Sequence, residues 1–183
     1  NQAPNTVANF ISLVEDGFYD GLEFHRVVPR LAAQGGCPNG DGTGGPGYRI
    51  RSECLEEHAR RHFRGSIAMA SRGLHDAGSQ FYITFVPAWH LDGRYTVFGR
   101  IVRGIDVLAR LQRREPRDPM QVAINPHRNV VIPPADRILE ARVTRKRNHP
   151  YEPETLPPIE MPLEEVSPII IPEPPDPLNP MGG

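Results

Sequence analysis

The apolar runs of this chain are short, and Gly or Pro closes most of them. FHRVVP (24–29), GSIAMA (65–70), SQFYITF (79–85) and YTVFGRIV (95–102) are rich in β-branched and aromatic residues. Such side chains suit a pleated, half-buried surface, so each run reads as a strand. Helical spacing is clear in two places only. Val7, Phe10, Ile11 and Val14 define a helix that Asn5 or Thr6 can cap and Gly17 stops. GIDVLARLQR (104–113) reads as a second helix, with Ile105, Leu108, Ala109 and Leu111 on or near one face. RILEARVTRKR (137–147) reads as a closing strand. Short strands between Gly and Pro turns, with two helices, predict a mostly-β barrel or sandwich.

FHRVVPRLAAQGG (24–36) places a charge inside an apolar strand. Alternation gives Arg26 the same face as Phe24 and Val28. A guanidinium keeps its charge at any ordinary pH, and burying it is costly without a partner. The turn at Pro29 allows two registers. A two-residue loop sets Arg26 opposite Ala33. A three-residue loop, Pro29–Arg30–Leu31, sets it opposite Gln34 and brings both polar side chains onto one face.

The 183 residues suffice for one domain and an appendage. Residues 148–183 hold eleven prolines and seven acids with no Lys or Arg, which leaves residues 1–147 with a net charge of +6. The first region is expected to be the folded domain. The second is expected to be an acidic, Pro-rich, disordered tail. The bases of the body are scattered outside RRHFR and RKR, without a nucleic-acid motif, so no nucleic-acid partner is expected. No apolar run approaches the roughly 20 residues of a membrane span, so no membrane partner is expected. Cys37 and Cys54 make no disulfide framework and favour a reducing compartment, the cytoplasm first. The Gly-rich loop GCPNGDGTGGPGYRI (36–50) lacks the lysine of a phosphate cradle. Cys54, His58 and His62 would form one zinc-binding stripe if residues 53–62 were helical, but a fourth ligand is not evident.

Six blocks in order, FHRVVP, QGG, GTGGPGY, GSQFYIT, HLDG and TVFG, closely resemble the cyclophilins, the cyclosporin-binding peptidyl-prolyl cis-trans isomerases. The resemblance covers roughly residues 3–112 and continues more weakly to about 145. It implies an antiparallel eight-stranded barrel closed by two helices, here without the strand or strands that precede the first helix in the family. It implies a monomer without cofactor or metal that acts on Pro-containing peptides and unfolded proteins. By position, Arg26 matches the catalytic arginine and Gln34 the glutamine that orients it. Leu31 and Ala32 match pocket positions, and Gly42 matches the loop bordering the groove. Ala70, Ser71 and Arg72 match the segment that pairs with the residue before proline. Gln80 matches a groove glutamine, Tyr82 an aromatic of the proline pocket, and His90, Leu91 and Tyr95 its far wall.

Several positions depart from the family. Leu31 and Ala32 stand where Phe and Met are usual, which predicts a wider pocket and weak cyclosporin binding. Ser71 replaces a common Asn, and Arg72 a small residue. Tyr82 replaces Phe, adding a hydroxyl that needs a partner. His90 stands where many members have Trp, with Trp89 one residue early, and Tyr95 where His is usual. An isomerase of reduced activity is expected; the alternative is a Pro-peptide binding module or scaffold with little turnover. Plainer readings remain for single residues. Arg26 could pair with Glu23 or Glu53, Gln80 could be satisfied by backbone, Tyr82, Leu91 and Val28 could be core, and Arg72 and Arg30 solvated charges. The tail is most simply a linker, but its X–Pro bonds and acidity make it a candidate occupant of the groove in cis.

Overall fold

The computed structural model describes residues 2–114, 133–160 and 167–174. Helix α1, Pro4–Glu15, starts with Pro at its first positions and Ala3 at the N-cap. The cap therefore differs from the expected Asn5 or Thr6. Glu53, distant in sequence, accepts the amides of Asn5 (3.1 Å) and Thr6 (2.8 Å) and the Thr6 hydroxyl (2.6 Å). A carboxylate there satisfies orphan donors and complements the helix dipole. At the other end Gly17 adopts φ +68°. The Phe18 amide reaches back to the Leu13 carbonyl and that of Gly17 to Val14, closing the helix as the sequence predicts.

Strands β1 (Arg26–Val28), β2 (Ala32–Gly35), β4 (Ser66–Met69), β5 (Phe81–Thr84) and β6 (Val97–Arg100) form one antiparallel sheet in the order β1-β2-β5-β4-β6. The hairpin takes the three-residue loop, with Arg26 opposite Gln34 and Val28 opposite Ala32. Gln34 then faces Tyr82, Tyr82 faces Ala68, and Ala68 faces Val97. One row of partners thus crosses all five strands.

Alternation sends the two faces to different cores. Phe81, Met69 and Phe98 pack with Leu13, Val14 and Tyr19 beside α1, while Val28, Ala32, Ala68, Tyr82 and Val97 form a second cluster. Polar side chains of the first region tie down the chain that enters β5. Asn9 donates to the Gly78 carbonyl (2.8 Å) and Tyr19 to that of Ser79 (3.0 Å).

Among the described residues the strands form this sheet and a two-stranded one, rather than the expected eight-stranded barrel. The expected second helix is reduced to a 3-10 turn, Val107–Arg110. Only Leu108 of that turn is buried, and the chain beyond it extends so that Arg114 exchanges backbone hydrogen bonds with Val27. Residues 137–147 likewise form no ladder. Arg137 makes a single bridge with Glu23, and Ile138 exchanges backbone bonds with Gly21 and Leu22.

The Pro-rich region departs from its composition. Thr155–Leu156 form β7, which pairs with β3 (Arg49–Ile50). Residues 161–166 and 175–183 of that region lie outside the described residues. No helix among the described residues is long and apolar enough to cross a membrane.

Candidate active site

The hairpin loop turns at Arg30, whose φ is +66°, and Leu31 donates its amide to the Val28 carbonyl (3.1 Å). This turn sets the guanidinium of Arg26 and the amide of Gln34 side by side on the face of the second cluster. Arg26 is 8% exposed and Gln34 fully buried. Gln34 Nε2 donates to Gln80 Oε1 (2.9 Å), and Gln80 Nε2 donates to the carbonyls of Gly42 (2.8 Å) and Gly44 (2.9 Å). Gln34 Oε1 has no hydrogen-bond partner among the described residues. The two glutamines thereby connect the hairpin to the Gly-rich loop.

That loop is organised around Cys37. Its sulfur accepts the amides of Gly42 (3.2 Å) and Gly44 (3.3 Å), while Asp41 accepts from the Thr43 amide and hydroxyl. The Thr43 bonds hold the Asp41 carboxyl below its usual range. Gly42 has φ +87°, and a side chain there would press on Pro168. His25 lies beside the same loop, fully buried, and burial lowers its pKa to about 4.

The pocket wall is Tyr82, set edge-on to Tyr95 with ring centroids 5.8 Å apart. Leu31, Ala32, Ala70 and Leu91 belong to the same buried cluster. The Tyr82 hydroxyl finds the partner it needs in His62 Nε2 (2.7 Å), and His62 Nδ1 bonds Asp92 (2.7 Å). Burial lowers the His62 pKa, and burial likewise raises that of Tyr82. The carboxylate therefore accepts Nδ1–H and leaves Nε2 to accept the phenol.

This commitment of His62, with residues 53–62 not helical, disposes of the Cys54–His58–His62 stripe. No group of three potential ligands stands together among the described residues. His62 and Asp92 are the members of the site that sequence reasoning missed. The one signal available was the hydroxyl of Tyr82.

The groove over this face holds a stretch of the chain itself. Ile169 and Ile171 are buried in the second cluster. The Ile169 amide donates to Gly42 O (2.9 Å), and its carbonyl accepts from Gln34 Nε2 (2.9 Å). Arg26 donates to the Ile171 carbonyl (3.1 Å), His90 Nε2 lies 3.2 Å from the Pro172 carbonyl, and Arg72 Nε donates to that of Ser167 (2.9 Å). Arg72 is exposed, as the sequence suggests, and from the surface it still holds the segment. It also lies 3.6 Å from Asp76. The Trp–His offset is explained too. His90 faces the groove, whereas Trp89 packs outside it against Phe63, with Arg61 over its ring. An open cleft of about 290 Å³ adjoins the groove between Thr43–Arg49, Arg72 and Gln80.

Residues 1–137 match the model of the cyclophilin type peptidyl-prolyl cis-trans isomerases. The chain belongs to this family. A peptidyl-prolyl cis-trans isomerase of Helicobacter pylori is 50% identical over 113 residues, which are 61% of this chain and 69% of the relative. Isomerase B of Bacillus subtilis is 52% identical over 104 residues, 57% of this chain and 72% of the relative. A crystal structure of a Cryptosporidium parvum cyclophilin type isomerase, solved in the presence of the dipeptide Ala-Pro, superposes with a TM-score of 0.54 at 33% identity. That match covers 60% of this chain and 72% of the other. The present cyclophilin is accordingly a peptidyl-prolyl cis-trans isomerase. In it the residues of the resemblance, Arg26, Gln34, Gln80, Leu31, Ala32, Tyr82 and Leu91, converge on one face of one sheet.

Proposed function

We propose that Arg26 is the catalytic cation of this isomerase and that Leu31, Ala32, Tyr82, Leu91 and Tyr95 hold the substrate's proline ring. Rotation about an X–Pro bond is opposed by amide resonance, with a barrier of roughly 18–20 kcal/mol. No bond is broken, so the reaction needs no cofactor. What lowers the barrier is a group that interacts more strongly with the twisted amide, whose nitrogen has regained its lone pair. A charge-assisted hydrogen bond contributes roughly 1.5–3 kcal/mol, which is about ten- to a hundred-fold in rate. Pocket shape and the grip on the flanking peptide supply the remainder.

The observation that carries this reading is the bond from the buried Arg26 guanidinium to a main-chain carbonyl lying in an apolar pocket. A prolyl carbonyl would take the same donor. Gln34 acts as a positioning and contact residue: its amide is fixed by Gln80 and still reaches a groove carbonyl. Gly42, Ala70, Ser71 and Arg72 border the path of the peptide, and His90 meets the chain beyond the prolyl seat. The substrates are X–Pro bonds in unfolded or flexible chains.

Exchange spectroscopy on an Ala-Pro peptide tests the assignment. Arg26→Ala is expected to lower the catalysed rate about ten- to a hundred-fold. Full activity in that variant would overturn it.

The small side chains Leu31 and Ala32 favour one secondary reading, in which the groove binds Pro-containing peptides with low turnover. Under that reading Leu31→Phe with Ala32→Met raises the rate, and an unchanged rate counts against it.

A further inference from the structure

We propose that residues 167–173 are a pseudo-substrate which this cyclophilin holds in its own groove, gating the site in cis. The inference rests on the reading of that groove as the isomerase site. The segment is extended and reads with a period of two. The carbonyls of Ser167, Ile169 and Ile171 are taken in turn by Arg72, Gln34 and Arg26. Ile169 is 6% exposed, Ile170 54% and Ile171 0%. An isoleucine triplet stands out in a region otherwise acidic and rich in proline, and the two members that face the groove are the buried ones. The acid that follows, Glu173, is 4.0 Å from the Arg26 guanidinium.

The chemistry of the seated residue makes the segment an occupant rather than a substrate. Arg26 grips the carbonyl of Ile171, so the amide in the reacting position is Ile170–Ile171. That amide is secondary, and its cis form is populated in well under roughly 0.1% of such bonds. Nothing is turned over, and nothing in turnover expels the segment. Its own X–Pro bonds lie to either side. Pro168 is over Gly42, and the Pro172 carbonyl is at His90. The sequence pointed to a prolyl bond of the tail as the ligand; the structure seats isoleucine instead.

The pocket departures fit this occupant. Leu31 and Ala32 leave room for a β-branched side chain where bulkier residues would narrow the pocket, and both are buried with Ile171 in one cluster. Arg72, the cationic departure, holds the incoming end of the segment. The ligand class is therefore an extended peptide with β-branched aliphatic residues two apart, followed by Pro and an acid. Because the segment is tethered, it competes at an effective concentration on the order of millimolar.

The test uses the full chain and a fluorescein-labelled peptide copying residues 165–175, followed by anisotropy. Wild type is expected to bind the peptide poorly. The double variant Ile169→Asp, Ile171→Asp, which cannot seat its own segment, is expected to bind at least about ten-fold more tightly. Glu173→Lys, at an exposed side chain and so without risk to folding, is expected to tighten binding by about two- to five-fold. In both variants KM for an Ala-Pro substrate should fall while kcat stays constant. Equal peptide binding by wild type and Glu173→Lys, or by wild type and a folded double variant, overturns the proposal. Peptide binding is read without turnover, so its failure is separate from failure of the catalytic assignment, which Arg26→Ala reports.

Discussion

The face of the five-stranded sheet that meets α1 is closed by a cluster of aromatic rings, whereas the opposite face combines aliphatic and polar side chains with the single Tyr82–Tyr95 pair. On the helix side Phe10 packs edge-on against Phe81 at 5.5 Å, with Tyr19 and Phe98 each 5.0 Å from Phe10. On the groove side the row Arg26, Gln34, Tyr82, Ala68 and Val97 carries its polar members at one edge and leaves room above the alanines. Ile169 and Ile171 fill that room. The first face has a core completed by neighbouring elements. The second is completed by a detachable segment, and that is what a binding site requires of a sheet.

The largest effect should separate the faces by stability. Phe81→Ala is expected to cost about 3–5 kcal/mol in urea unfolding, because the ring contacts cannot reform around a void. Ile171→Ala is expected to cost less than about 1 kcal/mol of global stability, since the segment can leave without unfolding the sheet. Equal losses would erase the distinction and make Ile171 an ordinary core residue.

Acid should loosen the groove side first. His25 lies beside Arg26 and is faced by Asp41 and Arg114, and His62 lies behind Tyr82 and is faced by Asp92 and His90. Both have folded-state pKa values lowered by burial, His25 to about 4. The unfolded chain, with histidine near 6.5, therefore takes up protons before the folded one does. Stability is fully present above about pH 6.5 and falls as pH drops toward 4, by up to about 1.4 kcal/mol per pH unit for each histidine. Urea midpoints measured from pH 7.5 to 4.5 check the slope. His62→Gln should flatten it, and an unchanged slope would remove His62 from the account.

A smaller effect is expected from His62→Leu. It leaves the Tyr82 hydroxyl without its acceptor and should cost about 1–3 kcal/mol. KM should rise because the ring of the pocket wall is no longer held. A rise in kcat/KM would contradict that positioning role. The smallest change is expected from Leu31→Phe with Ala32→Met. It should raise the isomerisation rate a few-fold while weakening docking of the segment, and an unaltered KM would separate pocket volume from gating.

Much of this contrast was legible in the sequence. The strand runs at 24–29, 65–70, 79–85 and 95–102, the α1 spacing and the Gly17 stop depend on local chemistry and stand where the residues place them, whereas the closing strand read at 137–147 does not form. Arg26 and Gln34 were readable as a pair only in one of two registers, because Pro29 alone does not choose the loop length. The features that were not legible depend on tertiary partners. Glu53 caps α1 from a distant point in the chain. The helix expected at 104–113 yields to a backbone bridge between Arg114 and Val27. His62 reaches Tyr82 only once the fold exists. The Ile169–Ile171 triplet is apolar within an acidic, Pro-rich region, but the surface it meets exists only in the fold, and composition does not put isoleucine in the prolyl seat.

The most direct test is the exchange rate of an Ala-Pro peptide measured by NMR with wild type and with Arg26→Ala, each also carrying Ile171→Asp to open the groove. The account predicts a loss of about ten- to a hundred-fold on removing Arg26 in both backgrounds, with the fold intact. A rate that Arg26→Ala leaves unchanged in the open background would contradict the assignment of the groove face as the seat of catalysis.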